Sequence, residues 1–273
     1  DLVVHFAAET HVDRSVLGPD VFIQTNVIGT QVLLQHALKH RVKLFHHVST
    51  DEVFGALPLN RPNLKFNEDT PNHPHSPYSA AKASSDHLVR AWHTTYGLPI
   101  TISNTSNNYG PYQDPEKLLP RFITNLILGQ KVPLMGKGEN VRDWIYVLDH
   151  ARAIDIIIHA ALKDKNIIGQ TFCVGGNSER TNLQVTLAIL KIMDKDKSWI
   201  EPIEHRLGHD SRYAIDSSKI KRVLGWQPQY KFEDWLVKTV EWYKENAWWW
   251  KPLREGRPIV DPIAQKKLLR KIK

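Results

Sequence analysis

Two short segments carry residue types that can do chemistry together. Ser49-Thr50-Asp51-Glu52-Val53-Phe54-Gly55 sets two adjacent carboxyls just after an apolar run, and Tyr78-Ser79-Ala80-Ala81-Lys82 sets a tyrosine and a lysine four residues apart. Four residues is about one helical turn, so the phenol and the ammonium share a helix face. A free phenol ionises near pH ~10, too high for a base at neutral pH. A neighbouring ammonium favours the phenolate, so Lys82 is expected to make Tyr78 a usable base. Asp51 and Glu52 can supply a further acid and base, because like charges side by side are costly and one carboxyl then keeps its proton. The four groups fit redox chemistry at a hydroxyl coupled to elimination of water.

The elements that must hold these groups alternate along the chain. Residues 2–6 are an apolar strand ending at Ala7-Ala8. A helix is expected from Asp20 to about His40, with Val21, Val27, Val32, Leu34 and Leu38 on its buried side. Residues 43–48 are the next strand, and residues 56–75 are a proline-rich loop. Ser76-Pro77 reads as a helix start, with serine as N-cap and proline at the first helical position, running to about Tyr96. Residues 99–103 are another strand. Apolar strands alternating with helices give an α/β fold with a doubly wound parallel sheet covered on both faces. Such sheets place ligands beyond the carboxyl ends of their strands, where 7–9, 49–52 and 104–108 fall. Beyond Gly110 the expected helices are 118–128, 149–162, 182–193 and 233–245. The expected organisation is a main Rossmann-like domain over 1–110, a smaller α/β substrate-binding lobe over 111–250 with segments returning to the main sheet, and a basic extension over 251–273. Trp248, Trp249 and Trp250 are expected to pack on the body or on a partner subunit rather than stand exposed.

Composition excludes several classes. The chain has 273 residues, 41% hydrophobic, enough for a large core. Its one cysteine, Cys173, rules out a disulfide within the chain and sits in the apolar run 171–174, where a buried inert thiol is expected. No run approaches the ~20 apolar residues of a membrane span, and no secretory signal is present; a cytoplasmic protein is expected. The net charge of +7 comes with one dense basic cluster, Lys266-Lys267-Leu268-Leu269-Arg270-Lys271-Ile272-Lys273, expected to be a solvated tail and not a nucleic-acid or membrane contact. A phosphate-bearing ligand accounts better for surplus Arg and Lys. None of the 14 histidines has zinc-like spacing, so no metal is expected and they read as surface or structural groups.

The motifs resemble the dTDP-glucose 4,6-dehydratases of the extended short-chain dehydrogenase/reductase superfamily. The likeness runs through Ala7 to Ser15, Ser49 to Gly55, Pro77 to Leu88, Ser106 to Tyr112, Pro115 to Leu118, Gly136-Lys137-Gly138, Arg142-Asp143-Trp144, Gly208-His209-Asp210 with Arg212-Tyr213, and Gly225-Trp226. Tyr-x-x-x-Lys marks the superfamily, Thr-Asp-Glu before Val-Phe-Gly the 4,6-dehydratases, and Gly-His-Asp-x-Arg-Tyr the dTDP-sugar members. The family's opening Gly-rich turn and ribose-binding acid have no counterpart here, and Leu207 stands where the family has proline.

The resemblance implies the following roles. Tyr78 takes the proton of the sugar C4 hydroxyl while its hydride passes to tightly held NAD+. Thr50 donates to the C4 oxygen, and Lys82 also reaches the nicotinamide ribose. Glu52 is the base at C5, Asp51 the acid at the departing C6 hydroxyl, and the hydride returns to C6. Ala7, Ala8, Glu9, Thr10, Thr25 and Asn108 contact the cofactor. Thr10, Asn107, Lys117, Leu118, Arg142, Asn177, Arg206, His209 and Asp210 hold the sugar, diphosphate and thymine, as arginine suits phosphate. The product would feed deoxysugars such as rhamnose. A homodimer is implied, with helices 21–40 and 78–96 in a four-helix interface. Two alternatives stand beside this: a UDP-glucose 4,6-dehydratase or other nucleotide-sugar epimerase, the latter needing no Asp51-Glu52 pair, and an inactive relic that only binds partners.

Overall fold

A computed structural model describes residues 1–206 and 208–256; Leu207 and the basic run from Lys266 to Lys273 lie outside the described residues. The first strand, β1 (Leu2–His5), leads through residues 6–11 into the short helices α1 (Val12–Leu17) and α2 (Pro19–Phe22). A π-helical segment, Ile23–Ile28, then joins α2 to α3 (Gly29–Lys39). The segment 20–40 is therefore not the uniform helix expected from its pattern. Its buried positions are Phe22, Asn26, Thr30, Leu34 and Ala37, a seam that includes two polar residues. Val21 and Val32, expected on the buried side, are exposed, whereas Leu34 is buried as expected. The π-helical turn leaves the Asn26 carbonyl open to the Thr30 and Ser85 hydroxyls, each at 2.6 Å.

β2 (Leu44–Thr50) ends in a 3-10 turn, Asp51–Phe54, and a long strap follows to α4 (Pro77–Tyr96). The strap is tied down: Arg212 donates to the carbonyls of Pro62 at 2.7 Å and Leu64 at 2.9 Å. Ser76 and Ser79 cap α4 reciprocally at 3.0 and 3.1 Å, Pro77 opens it and left-handed Gly97 closes it. β3 (Ile100–Thr105) and β4 (Asn107–Tyr109) precede α5 (Leu118–Ile127), β5 (Val132–Met135), β6 (Val141–Tyr146) and α6 (Val147–Lys163). The remainder is β7 (Thr171–Val174), β8 (Glu179–Thr181), α7 (Asn182–Ile192), β9 (Ile200–Ile203), α8 (Ser218–Leu224), α9 (Phe232–Glu245) and α10 (Ala247–Glu255).

The main sheet is parallel throughout, in the order β1-β2-β3-β7, with Leu2 opposite Leu44, Phe45 opposite Ile100 and Ile102 opposite Thr171. One face packs Phe45, Ile100 and Ile102 against Leu34 and Val89 of α3 and α4. The other packs Leu44, Phe172 and Val174 against Ile154, Ile157 and Ile220 of α6 and α8. Covering both faces explains why all of β3 is buried. A second core gathers α5, α7 and α9 around Phe122, Ile189, Leu236 and Trp144, with smaller sheets β4-β6-β8 and β5-β9 beside it. Trp250 is fully buried there, whereas Trp248 is 67% exposed. Cys173 is buried and free, and burial raises its thiol well above the usual range, so it is inert.

Candidate active site

β2 delivers the carboxyl pair. Thr50, its last residue, caps the turn that follows: the Glu52 amide donates to Thr50 Oγ1 at 3.2 Å, and Thr50 Oγ1 reaches Asp51 Oδ1 at 3.3 Å. Gly55 closes the turn with a φ of +85°, and a Cβ there would stand 2.4 Å from the His73 carbonyl. No side chain fits, which is the reason for glycine in this motif.

The two carboxyls differ. Asp51 is 1% exposed, and burial, then Glu52 and Asp143, push its pKa well above the ordinary value. Burial raises Glu52 as well, but Arg206, Arg142 and Lys117 all pull against it. Burial beside other carboxyls thus favours the protonated form at Asp51, while Glu52 is the carboxyl surrounded by cations. Asp143 is also raised, to about 6, chiefly by burial, while its Oδ1 accepts from the Ser178 amide at 2.7 Å.

α4 brings Tyr78 to the same place, where it hydrogen-bonds the Thr50 side chain. Burial, then the Glu52 charge, raises the Tyr78 pKa, and Thr50 opposes this. Lys82, expected from its spacing to favour the phenolate, is not among the leading influences on Tyr78. The Lys82 ammonium donates to the Val48 carbonyl at 2.7 Å instead, and burial lowers its own pKa. Asp86, one turn further on, is fully buried, accepts from Asn104 at 3.1 Å and has His47 Nε2 3.3 Å from its other oxygen. Burial alone would raise Asp86; the His47 hydrogen bond and charge and the Lys82 charge outweigh it and hold the carboxyl low. Sequence reasoning missed Asp86, although positions 78, 82 and 86 carry the same four-residue signal.

At the exit of β1, Ala7 is exposed and Ala8 and Glu9 are half-buried. Asn26 pins the Glu9 backbone from both sides, donating to its carbonyl at 2.9 Å and accepting from its amide at 2.8 Å. Thr25, named from the motif, is half-buried beside it; Asn26 is the residue that fixes the strand end. Asn108 donates to the Ser106 carbonyl at 3.1 Å and meets His150 at 3.0 Å.

A cleft open to solvent runs from Glu52 into the second core, and Thr10, Asn107, Lys117, Leu118, Arg142, Arg206 and His209 line it. Lys117 donates to the Thr10 carbonyl and so bridges the two sides. Arg142 is not paired with Asp143. It lies 4.1 Å over the Tyr213 ring and donates to the Asp210 carbonyl at 2.9 Å. His209 is held neutral, its pKa lowered to about 2 by burial and then by Arg206 and Arg142. Asp210 sits behind the wall, 6% exposed. Asn177 is exposed, has a left-handed backbone (φ 51°) and does not line the cleft.

A parallel sheet with a Tyr/Lys helix at its strand ends and a basic cleft alongside defines a nucleotide-sugar enzyme of the short-chain dehydrogenase/reductase type. The model of the family described as GDP-mannose 4,6 dehydratase matches residues 1–239. A dTDP-glucose 4,6-dehydratase of Escherichia coli is 47% identical over 94% of the chain and 76% of its own length, and one of Mycolicibacterium smegmatis is 50% identical over 93% and 75%. The crystal structure of the dTDP-glucose 4,6-dehydratase of Streptomyces venezuelae, with NAD and dTDP bound, superposes with a TM-score of 0.89 at 47% identity, covering 93% of this chain and 76% of that one. A UDP-glucuronic acid 4-epimerase of Bacillus cereus follows the same fold at 28% identity and a TM-score of 0.82, over 90% of this chain and 76% of that one. The chain belongs to the dTDP-glucose 4,6-dehydratase family.

Proposed function

We propose that this protein dehydrates dTDP-glucose to dTDP-4-keto-6-deoxyglucose with NAD as a recycled cofactor. The observation that carries this is the split carboxyl pair, Asp51 biased toward its protonated form and Glu52 ringed by Arg142, Arg206 and Lys117, directly beside Tyr78 and Thr50. An epimerase has no use for such a pair, which favours the dehydratase over that alternative.

The residues present fit NAD. Small alanines end β1, and buried polar atoms without a protein partner among the described residues, Ser106 Oγ and Asn107 Oδ1, face the strand ends where a ligand is expected. Ala7, Ala8, Glu9, Thr25, Asn108 and Lys82 would hold it, with Asn26 keeping Glu9 in place. When bound, NAD supplies a hydride acceptor at C4 and returns the hydride at C6.

The chain's own residues do the rest. Tyr78 accepts the C4 hydroxyl proton, and Thr50 donates to the oxygen left as a ketone. Tyr78 becomes a base only when positive charge is brought to it, and Lys82 on the same helix face carries one. Oxidation at C4 acidifies C5–H because the carbanion is conjugated with the ketone. Glu52 takes that proton, and Asp51 gives its proton to the C6 hydroxyl, which leaves as water. Glu52 needs surrounding cations to stay ionised, and Asp51 needs its dry site to stay protonated. Lys117, Arg142 and Arg206 would bind the diphosphate, and Leu118, His209 and the wall backed by Asp210 the nucleoside.

The chain divides functionally into a cofactor and catalytic part over 1–110 and a nucleotide-sugar part over 111–250 that returns β7 to the main sheet. Val21, Ile23, Ile28, Val32 and Leu33 leave apolar surface exposed along the segment α2–α3, which supports a homodimer through these helices and α4. No helix among the described residues is long and apolar enough to cross a membrane, in line with work in the cytoplasm. The test is to incubate the protein with NAD+ and dTDP-glucose and follow the nucleotide sugar by mass spectrometry. Loss of one water supports the reading, and an unchanged sugar sinks it.

A further inference from the structure

The fold brings two histidines that no catalytic step uses onto the back of the nucleotide pocket. His75 Nδ1 lies 2.6 Å from Asp210 Oδ1, and His75 Nε2 lies 2.9 Å from His73 Nδ1. The other oxygen of Asp210 accepts from the Tyr213 hydroxyl at 2.5 Å. The Asp210 carbonyl accepts from Asn140 at 2.9 Å and from Arg142 at 2.9 Å, and the Arg142 guanidinium stacks 4.1 Å over the Tyr213 ring. One proton arrangement satisfies the line: His73 donates to His75, and His75 and Tyr213 both donate to the carboxylate. Burial, then Glu52, raises Tyr213 well above its ordinary value, so its hydroxyl is a donor. Gly208 completes the contact, with a φ of +60° and space for a Cβ cut off by the His75 carbonyl 2.9 Å away.

His75 immediately precedes Ser76, the cap of α4, and α4 carries Tyr78. The contact therefore joins the start of the catalytic helix to the loop that supports Arg142. We propose that His75 is a positioning residue, a latch that holds the loop 208–213 against the start of α4 and thereby fixes Arg142 for the diphosphate, with His73 setting the His75 tautomer. This rests on the nucleotide-sugar reading of the cleft. Asp210 is 6% exposed while the His75 side chain is 37% exposed, so the latch is a short, half-buried contact at the edge of the wall, anchored on its buried carboxylate.

The experiment compares wild type, His75→Leu and His75→Asn, because the asparagine amide replaces the Nδ1 donor and leucine does not. His75→Leu is expected to raise KM for dTDP-glucose and Kd for dTDP about tenfold, about 1.4 kcal/mol, with kcat held within about twofold. His75→Asn is expected to recover most of the loss. In the absence of any ligand, His75→Leu should also speed amide exchange over 208–213 while His75→Asn does not. Unchanged KM and exchange in His75→Leu, a fall in kcat in place of KM, or an asparagine variant as poor as the leucine one would each overturn the latch. If His75→Leu does not fold, His75→Gln replaces it, since its donor falls at the Nε2 position and should not rescue. A wild-type protein that neither binds dTDP nor dehydrates dTDP-glucose would overturn the reading of the cleft instead, and the exchange result would then decide the latch alone.

Discussion

Replacing Asp86 by asparagine isolates the charge that keeps Lys82 protonated. Lys82 is 5% exposed and Asp86 fully buried, and burial already lowers the Lys82 pKa while Asp86 opposes it. Residues one helical turn apart sit roughly 6 Å from each other. At an effective dielectric of about 20, a pair of unit charges at that distance interacts by about 2.8 kcal/mol, or about two pH units. Asp86→Asn should therefore move the alkaline limb of the kcat profile for dTDP-glucose down by about two units, leaving activity at pH 7 less affected than at pH 9. Stability moves too, because the amide cannot present an oxygen to both His47 and Asn104, and one buried donor is left unmatched at a cost of about 1–3 kcal/mol. The sign follows from Asp86 being held low: its contribution is present above the unfolded carboxyl pKa and is lost as pH falls through the folded value, so wild type and variant should converge in acid. An alkaline limb that does not move in a folded Asp86→Asn protein would refute the argument that Asp86 supports the Lys82 charge.

Glu52→Gln should cut dehydration by about 10²–10⁴-fold, the usual weight of a general base, while substrate binding persists; isotope exchange at C5 measured with dTDP-glucose would show whether proton removal is the step lost. His5 and His46 are lowered to about 3, and His47 and His150 to about 4, in each case chiefly by burial. Unfolding lets all of them gain protons below about pH 6.5, so stability should fall as pH drops through that window, by up to about 5 kcal/mol per pH unit; urea titrations at pH 7, 6 and 5 measure the slope, and a flat profile would contradict the burial of these rings. Gly55→Ala should cost about 1–3 kcal/mol because of its left-handed backbone, and more if the His73 carbonyl cannot move, read as a drop in Tm. Val32→Glu places a charge in the exposed apolar surface and should shift the protein toward monomer in light scattering, with the Tm of the monomer little changed.

What could be read beforehand, and what could not, follows from the range of the forces involved. The strands, α4 and its cap, and the carboxyl and tyrosine motifs depend on neighbours in sequence, and the structure places them within a residue or two of expectation. The segment 20–40 departed from expectation because two polar residues, Asn26 and Thr30, join Phe22, Leu34 and Ala37 on the buried side while Val21 and Val32 are exposed. The partners of Asn26 and Thr30, namely Glu9, His5 and Ser85, lie far away in sequence, so nothing local marks the two residues. The Lys82 side chain has a similar long-range partner. Its spacing from Tyr78 is correct, but the strand packed beneath offers the Val48 carbonyl as a nearer acceptor. The histidines show the same limit most clearly. His46 and His47 sit in a strand pattern that reads as apolar, and they are accommodated because Thr101, Ser103 and Asp86 arrive from β3 and α4 to meet them.

The same long-range geometry underlies the proposed assignment of one carboxyl as acid and the other as base. Adjacent in sequence, Asp51 and Glu52 differ only by a methylene, and no pattern argument separates them. The turn capped by Thr50 sends their side chains apart, Asp51 into the protein beside Asp143 and Glu52 toward Arg142, Arg206 and Lys117. Those three cations come from β6, the loop 204–206 and the start of α5, all in the part of the chain that would bind the nucleotide diphosphate. The groups suited to hold the substrate are thus the same groups that keep Glu52 ionised. Neutralising one of them, as in Arg206→Gln, should raise the Glu52 pKa and move the acid limb of the activity profile upward in addition to weakening binding. A variant in which KM rises while the acid limb stays fixed would separate the two roles and show that Glu52 draws its charge from elsewhere.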